Sequence, residues 1–452
     1  MMKNQQIYEN IKKYAAELSE AGYIDSGYIG VSADEGLYIT TPDAEFADLK
    51  EEQVAFVTEK GIEEIDGNFR AAAVLLLCAL KSKKKASAAA IVDSESILAF
   101  SKRRKTLPPV LDDMSQVVGV SVRAALKNTA VEVVAALSGL RNACFLPDAG
   151  ALVTGRTLAE VYTATLVLDK AVTCYLLTEK KGGTKKLGVV SAYIEHIGYS
   201  LKYSKKNQAS QKAAEEGKEV ELAEQPSAIV TDELMKVAEE IKAAGVRLVK
   251  ENLVQGTWGN IAVRLNDKEM LATPSALDYE MLKPEQMAIV DMQTLEWKGS
   301  NKPTSEKGIH AKLLLAHPES NATVHTHPFY GSMLAAMATP LAVPEKYRDI
   351  LGDVVPVSKF APPGTPWLVK NATEAIGDAP CCFLAHHGVI VRGKDLDDAF
   401  VICRALEDAC RDYLTSDDDA AATAESAAPA GAAAPAEEPA AIEAEGKDTA
   451  EE

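Results

Sequence analysis

The 452-residue sequence is 47% hydrophobic and 25% charged, enough apolar material for two or three globular cores. Its formal charge of −18 is uneven: after Leu414 eleven acids face one lysine, so −10 lies there and −8 in the rest, a balance that argues against a nucleic-acid partner. The opening MMKNQQIYENIKKYAAELSEAGYI has no apolar run of the secretory kind, and no stretch is apolar for long enough to span a bilayer, so no membrane partner and a cytoplasmic protein are expected.

Taken in chain order, Ile7, Ile11, Tyr14, Ala15 and Leu18 recur at helical spacing. The apolar run Ala71–Leu80, closed by Arg70 and Lys81, predicts a buried helix. The basic clusters from Lys81 and from Ser101 have too few aromatic neighbours for a nucleic-acid platform and read as solvated faces. From Phe145 the chain predicts a strand, a turn at Gly150, a second short strand and a helix. A polar, charged run beginning at Lys202 has the composition of a linker.

Beyond that linker the pattern returns. Leu234, Val237, Ala238, Ile241 and Val246 echo the first helix, and MLATPSALDYEMLKPEQMAIV from Met270 lies opposite LYITTPDAEFADLKEEQVAFV from Leu37 with one inserted residue. The segment from Phe383 matches that from Phe145 at ten of 32 positions without a gap. Two α/β domains follow, over residues 1–201 and 229–414, with a linker over 202–228. The Ala/Pro/Glu-rich segment 415–452, whose one large apolar residue is Ile442, is expected to be disordered. The seven cysteines include the adjacent pair Cys381 and Cys382 and form no CxxC, so reduced core thiols are expected.

Histidines separate the copies. Six of the seven (His310, His317, His325, His327, His386, His387) fall in the second, where the first has Ala149 opposite His387 and Asp148 opposite His386. Near the counterpart of NATVHTHP the first copy reads AAAIVDSE, without a histidine. NATVHTH predicts a strand on which His325 and His327 share a face. With His387 as a third ligand they suit a catalytic metal, although an HxH pair alone is more often an ordinary strand feature. His310 and His317 read as packing or surface residues.

Between these strands, Thr304 or Ser305 is expected to cap a helix, leaving amides free for an anion, with Glu306 in its first turn. Glu306 suits a general base; the bland alternative is a first-turn acid complementing the helix dipole. Gly256, Thr257, Gly259 and Asn260 form a stretch where backbone amides can approach an oxyanion, or a plain turn. Ser275 is a further candidate phosphate donor, or part of a turn before a helix.

In succession, QGTWGN, TPSALDYEMLKPEQM, PTSEKGIH, VHTHP, APPGT and HHGVIVRGKDLDDAF resemble the class II aldolase/adducin family. The resemblance covers 231–414 and makes the first copy a degenerate version of the same domain. It implies α/β domains of three α/β/α layers around a mixed, largely antiparallel sheet. It also implies a divalent ion, zinc or else manganese or cobalt, on His325, His327 and His387, with Glu306 as base or fourth ligand. Thr257, Gly259, Asn260, Ser275, Thr304 and Ser305 would receive the substrate phosphate, and Tyr347 would match a tyrosine supplied by a neighbouring subunit. The implied activity is aldol cleavage of a small phosphorylated ketose through a metal-stabilised enediolate. Epimerisation or dehydration at the same site, and a non-catalytic adducin-like scaffold, are the alternatives. In the first copy Asn68 falls near the Glu306 position. Family members assemble as rings, so a dimer of two-domain chains forming a four-domain ring is expected. Ala276, where the family has glycine, the bulky Trp258 and the acidic tail depart from the pattern and bear on the substrate.

Overall fold

The computed structural model describes residues 2–201, 226–254, 259–275 and 279–416. Most of the expected linker, the acidic tail, Gly256, Thr257, Trp258 and Ala276 lie outside the described residues.

The N-terminal half runs α1 (Met2–Glu20), β1 (Ile29–Ala33), β2 (Gly36–Thr40), β3 (Val54–Thr58), α2 (Gly67–Ser82), β4 (Ala88–Val92), α3 (Glu95–Ser101), α4 (Asp112–Val117), β5 (Arg123–Ala124), α5 (Ala130–Ala136), β6 (Ala143–Leu146), β7 (Gly150–Gly155) and α6 (Leu158–Thr178). A further helix, α7, is described over 189–201. The C-terminal half runs α8 (Asp232–Lys250), β8 (Gly259–Arg264), β9 (Glu269–Ala272), β10 (Ala288–Asp291), β11 (Trp297–Lys298), α9 (Lys307–Ala316), β12 (Ala322–Thr326), α10 (Phe329–Met337) and β13 (Leu341–Ala342). It closes with α11 (Arg348–Leu351), β14 (Val354–Val355), β15 (Val357–Ser358), α12 (Pro366–Ile376), β16 (Cys381–Leu384), β17 (Gly388–Gly393) and α13 (Leu396–Thr415).

Both sheets have one topology. The order β3-β2-β1-β4-β7-β6-β5 is repeated as β10-β9-β8-β12-β17-β16-β15, with β11 added at the second sheet's edge. The pairs β5–β6 and β15–β16 are parallel and the other strand pairs of the two sheets antiparallel, so the mixed sheet is as expected. Alternate strand residues face opposite helical layers. Ala90, Phe145 and Val153 pack toward α1, α3 and α6, while Ala89, Cys144 and Leu152 pack toward α2 and α5. In the second domain Val324, Phe383 and Val391 face α8, α10 and α13; Cys382 and Ile390 face α9 and α12. The buried stretch of α2 is the apolar helix anticipated from Ala71–Leu80.

The two domains share one core. Residues from α3 and α6 and from α10 and α13 belong to a single buried apolar cluster, so the first domain covers a face of the second that would otherwise be exposed. At the β16–β17 turn, His386 adopts φ 60°, as does Asp148 in the matching β6–β7 turn. Glycine is required two residues after each: a Cβ at Gly388 would lie 2.5 Å from Thr326 O, and one at Gly150 would lie 2.1 Å from Val92 O. The turn therefore sits directly against the end of the central strand.

Candidate metal centre

On β12, Thr323 and His325 point toward α9 while Val324 enters the opposite core. His327 follows one residue after the strand's last position, before Pro328 at the N-cap of α10. The β16–β17 turn brings His387 over from a strand paired with β12. The predicted third ligand thus meets the other two: the coordinating nitrogens of His325, His327 and His387 all lie within 4.8 Å of one another, and all three residues are buried.

Hydrogen bonds fix the ring orientations. His325 Nδ1 lies 2.8 Å from Val389 O, and a carbonyl only accepts, so Nδ1 carries the proton and Nε2 offers a lone pair. His325 Nε2 is 3.0 Å from His327 Nε2. Glu306 Oε2 is 3.2 Å from His325 Nε2, and its Oε1 is 3.1 Å from His387 Nε2. These separations approach the about 3.3 Å expected between ligand atoms that share a tetrahedral zinc with bonds of about 2.0–2.1 Å. His327 Nδ1 is buried without a hydrogen-bond partner among the described residues. Lone pairs converging in a buried pocket repel unless a proton or cation lies between them, so the donor set fits a divalent ion.

Electrostatics agree. Burial pushes the pKa values of His325 and His327 down, keeping the imidazoles neutral as ligands must be. Burial would raise the Glu306 carboxyl, but His325, His387 and the Asn260 amide outweigh it and hold Glu306 well below the usual range. It is therefore ionised, the form needed in a base or ligand. For His387 burial is outweighed by the Asp112 and Glu306 carboxylates, and the ring is pushed well above its ordinary value, so this imidazole, unlike the other two, is protonated without an ion and must release its Nε2 proton to bind one.

Behind Glu306 runs a buried relay. Asn260 Nδ2 donates to Glu306 Oε2 at 3.0 Å, which leaves Asn260 Oδ1 to accept from His310 Nε2. His310 Nδ1 must then accept from Thr323 Oγ1, 2.7 Å away. Burial, reinforced by His325, pushes the His310 pKa down to about 3, consistent with a neutral ring. His310 is thus a packing residue as expected, with the added task of orienting Asn260. His317, at the end of α9, lies 3.3 Å from Glu319.

Of the expected phosphate residues, Gly259, Asn260, Ser275, Thr304 and Ser305 are described, and they lie around Glu306. The β8–β9 ladder and a bridge between Pro274 and Pro303 bring Gly259, the first residue of β8, near the loops that carry Ser275 and Thr304. Gly259 has φ 150°, and a Cβ there would lie 2.9 Å from Val254 Cγ2. Ser275 Oγ donates to Pro303 O at 3.0 Å, while Ser305 is exposed. Capping differs from expectation. No side chain caps α9; Glu306 is itself the N-cap residue rather than a first-turn acid, and Thr304 Oγ1 accepts its backbone N–H at 3.2 Å. The helix therefore starts late enough for Glu306 to turn inward. A cavity of about 310 Å³ opens beside it, lined in part by Ser305, Glu306, Lys307, Gly364 and Thr365.

Tyr347 donates its hydroxyl to Asp412 at 2.8 Å and lies beside Lys346; neither is a metal-site residue. The register of the first sheet puts Ile91, Asp93 and Ala149 opposite His325, His327 and His387. Asn68, expected near the Glu306 position, lies in the first turn of α2, whose N-cap is Asp66.

Sequence reasoning missed Asp112. It is fully buried, and its Oδ2 lies 2.5 Å from His387 Nδ1, across the domain boundary. The signal available was two adjacent acids, Asp112 and Asp113, in the apolar context PPVLDDMSQVVGV, since buried acids require partners.

These features define a class. The chain matches the Class II Aldolase and Adducin N-terminal domain over residues 9–176 and again over 239–414, and it belongs to that family, in tandem duplicate. Among its relatives, the 5-methylthioribulose-1-phosphate/5-deoxyribulose-1-phosphate aldolase of Rhodospirillum rubrum is 33% identical over 164 residues, 36% of this chain and 72% of that protein. The L-fuculose phosphate aldolase of Haemophilus influenzae is 29% identical over 180 residues, 40% of this chain and 82% of that protein. A solved L-fuculose 1-phosphate aldolase is similar at 27% identity, with 41% of this chain and 86% of that chain covered and a TM-score of 0.39.

Proposed function

We propose that the chain is a divalent-metal-dependent aldolase that cleaves a carbon–carbon bond in a small phosphorylated ketose. The observation that carries this reading is the buried convergence of three imidazoles and an ionised Glu306. His325, His327 and His387 would hold the ion, zinc with manganese or cobalt as alternatives. A divalent ion there supplies Lewis-acid polarisation of the substrate's carbonyl and hydroxyl oxygens. Glu306 handles the proton at the carbon released by cleavage, held by Asn260 and the His310–Thr323 pair. Gly259, Ser275, Thr304 and Ser305, with Thr257, form the phosphate loops; Asn260, whose amide is engaged, serves the base.

The relatives' names point to ketose 1-phosphates as the class to test. Cleavage between C3 and C4 of such a sugar gives dihydroxyacetone phosphate and an aldehyde. The same groups suit an epimerase or dehydratase, and the loss of ligands in the first domain favours an adducin-like scaffold as the second reading.

The chain-level dimer we propose would repeat the interdomain contact between chains. The bridge between Leu107 and Val122 matches the β13–β14 pair Leu341–Val355, and equal spacing from Leu107 and Leu341 puts Tyr347 opposite Asp113. Repeating the contact between chains would bring Tyr347 to the metal-free turn at Asp148 and Ala149 of a second copy. At the histidines the corresponding place belongs to α4 of the same chain.

The test is metal analysis of purified protein together with a panel of phosphorylated ketoses, including 5-deoxyribulose 1-phosphate and fuculose 1-phosphate. About one zinc, manganese or cobalt per chain, lost in His387→Ala, with release of dihydroxyacetone phosphate, is expected. Products of epimerisation or elimination move the activity within the site; no ion and no turnover sink the enzyme in favour of the scaffold.

A further inference from the structure

The first domain lacks the three histidines, yet it touches one of them, His387, in the second domain. Asp112 N–H donates to His386 O at 2.8 Å, and His386 Nδ1 donates to Val110 O at 2.9 Å. With the 2.5 Å contact between Asp112 Oδ2 and His387 Nδ1, three hydrogen bonds clamp the turn that carries the proposed third ligand. All three come from the first domain, and they add to the turn's own backbone bonds from His386 N–H to Ala335 O and from His387 N–H to Leu384 O, each 2.9 Å.

The bland account is that Asp112 only shapes the start of α4. Its Oδ1 does so, accepting from Asp113 N–H at 2.7 Å, but Oδ2 is separate and aimed at His387. Asp113, not Asp112, takes the buried ammonium of Lys170, at 3.2 Å. Lys170 anchors the segment to α6 and leaves the Asp112 carboxylate to the imidazole. A carboxylate accepting from one ring nitrogen fixes the tautomer and ring plane and makes the other nitrogen a better donor to a metal.

We propose that the metal-free N-terminal domain completes the metal centre of the C-terminal one, with Asp112 as the positioning residue that holds His387 Nε2 toward the ion. This rests on reading the histidines as metal ligands, and the experiment separates the two. Full-length wild-type protein, Asp112→Asn and Asp112→Ala are stripped of metal. Each is titrated with Zn²⁺ against a chromogenic chelator and with Co²⁺ followed by its visible absorption. The unfolding midpoint of each metal-free protein is recorded alongside.

Asp112→Asn, which can still accept a hydrogen bond, is expected to weaken binding at the lower end of an about 10- to 100-fold range, and Asp112→Ala at the upper end. The Co²⁺ spectrum should change in both, and Asp112→Glu should restore part of the affinity. Variants that bind both ions like wild type overturn the proposal while leaving the metal site standing. Wild-type protein that binds neither ion overturns the underlying reading as well. Should the variants not fold, the imidazole ¹H–¹⁵N spectrum of the zinc-loaded wild type decides. A His387 proton on Nδ1, hydrogen-bonded and slow to exchange, supports the role of Asp112, and a proton on Nε2 refutes it.

Discussion

The two domains are the same sheet with opposite outcomes at its centre. Ile91, Asp93 and Ala149 occupy the strand end and turn where the second domain has His325, His327 and His387. Around these positions the packing is retained: the left-handed residue in the turn, the glycine after it, and the phenylalanine beneath, Phe145 or Phe383, each fully buried. An acid on the long C-terminal helix also recurs. Glu407 accepts two backbone N–H groups at the start of α10, and Asp169 accepts two serine hydroxyls at the start of α3. The comparison teaches that architecture and chemistry separate cleanly. The fold needs the alternation of apolar residues and a few glycines, whereas the site needs four side chains that the fold does not.

The largest expected effect tests that separation at the helix starts. Glu306→Gln should lower kcat by about 10²–10⁴-fold with the metal retained, whereas Asp66→Asn, at the exposed start of α2, should leave turnover unchanged; equal losses in steady-state assays would break the comparison. Next come the shared cores. Phe145→Ala and Phe383→Ala should each destabilise by about 3–5 kcal/mol, measured by denaturant unfolding, and a small effect at Phe145 alone would mean that the first domain has loosened along with losing its ligands.

Lys170→Met probes an asymmetry. The position opposite Lys170 is Asp408, near the surface, whereas Lys170 is 2% exposed and paired to Asp113. Removing one partner of such a pair should cost about 3–5 kcal/mol, and Lys170→Met/Asp113→Asn should recover part of it in the same unfolding assay. The smallest effect is a pH slope. Burial, then the nearby Asp112, pushes the Glu195 carboxyl up to about 7. A folded-state pKa above the unfolded one favours the protonated fold, so this group's contribution is fully present below the unfolded carboxylate range and is lost as pH rises toward 7. Melting curves of metal-free wild type and Glu195→Gln between pH 4.5 and 8 should converge at low pH and separate on the alkaline side, the variant being the more stable. A constant offset would place Glu195 in solvent.

Much of this is legible in the sequence. The gapless match from Phe145 to Phe383 carries the duplication, because equal spacing of apolar residues on strand, turn and helix forces equal packing. The histidine pair His325 and His327 is a local pattern, set by the two-residue period of a strand. Glu306 was legible as a residue but not as an N-cap. Where α9 begins is decided by Thr304 taking a backbone amide, a preference that local sequence expresses weakly. Thr257 and the tail remain expectations, since they lie outside the described residues.

The sequence by itself determined the repeated strand-and-helix pattern, the His325/His327 pair and the absence of histidines at the matching places of the first copy, since each follows from short-range periodicity and residue type. Only the tertiary structure decided that the stripped domain lies against the intact site and lends it Asp112, 275 residues from His387 in the chain. A contact of that kind depends on how two cores merge through α6 and α10, and no local pattern in either segment encodes the shape of the other.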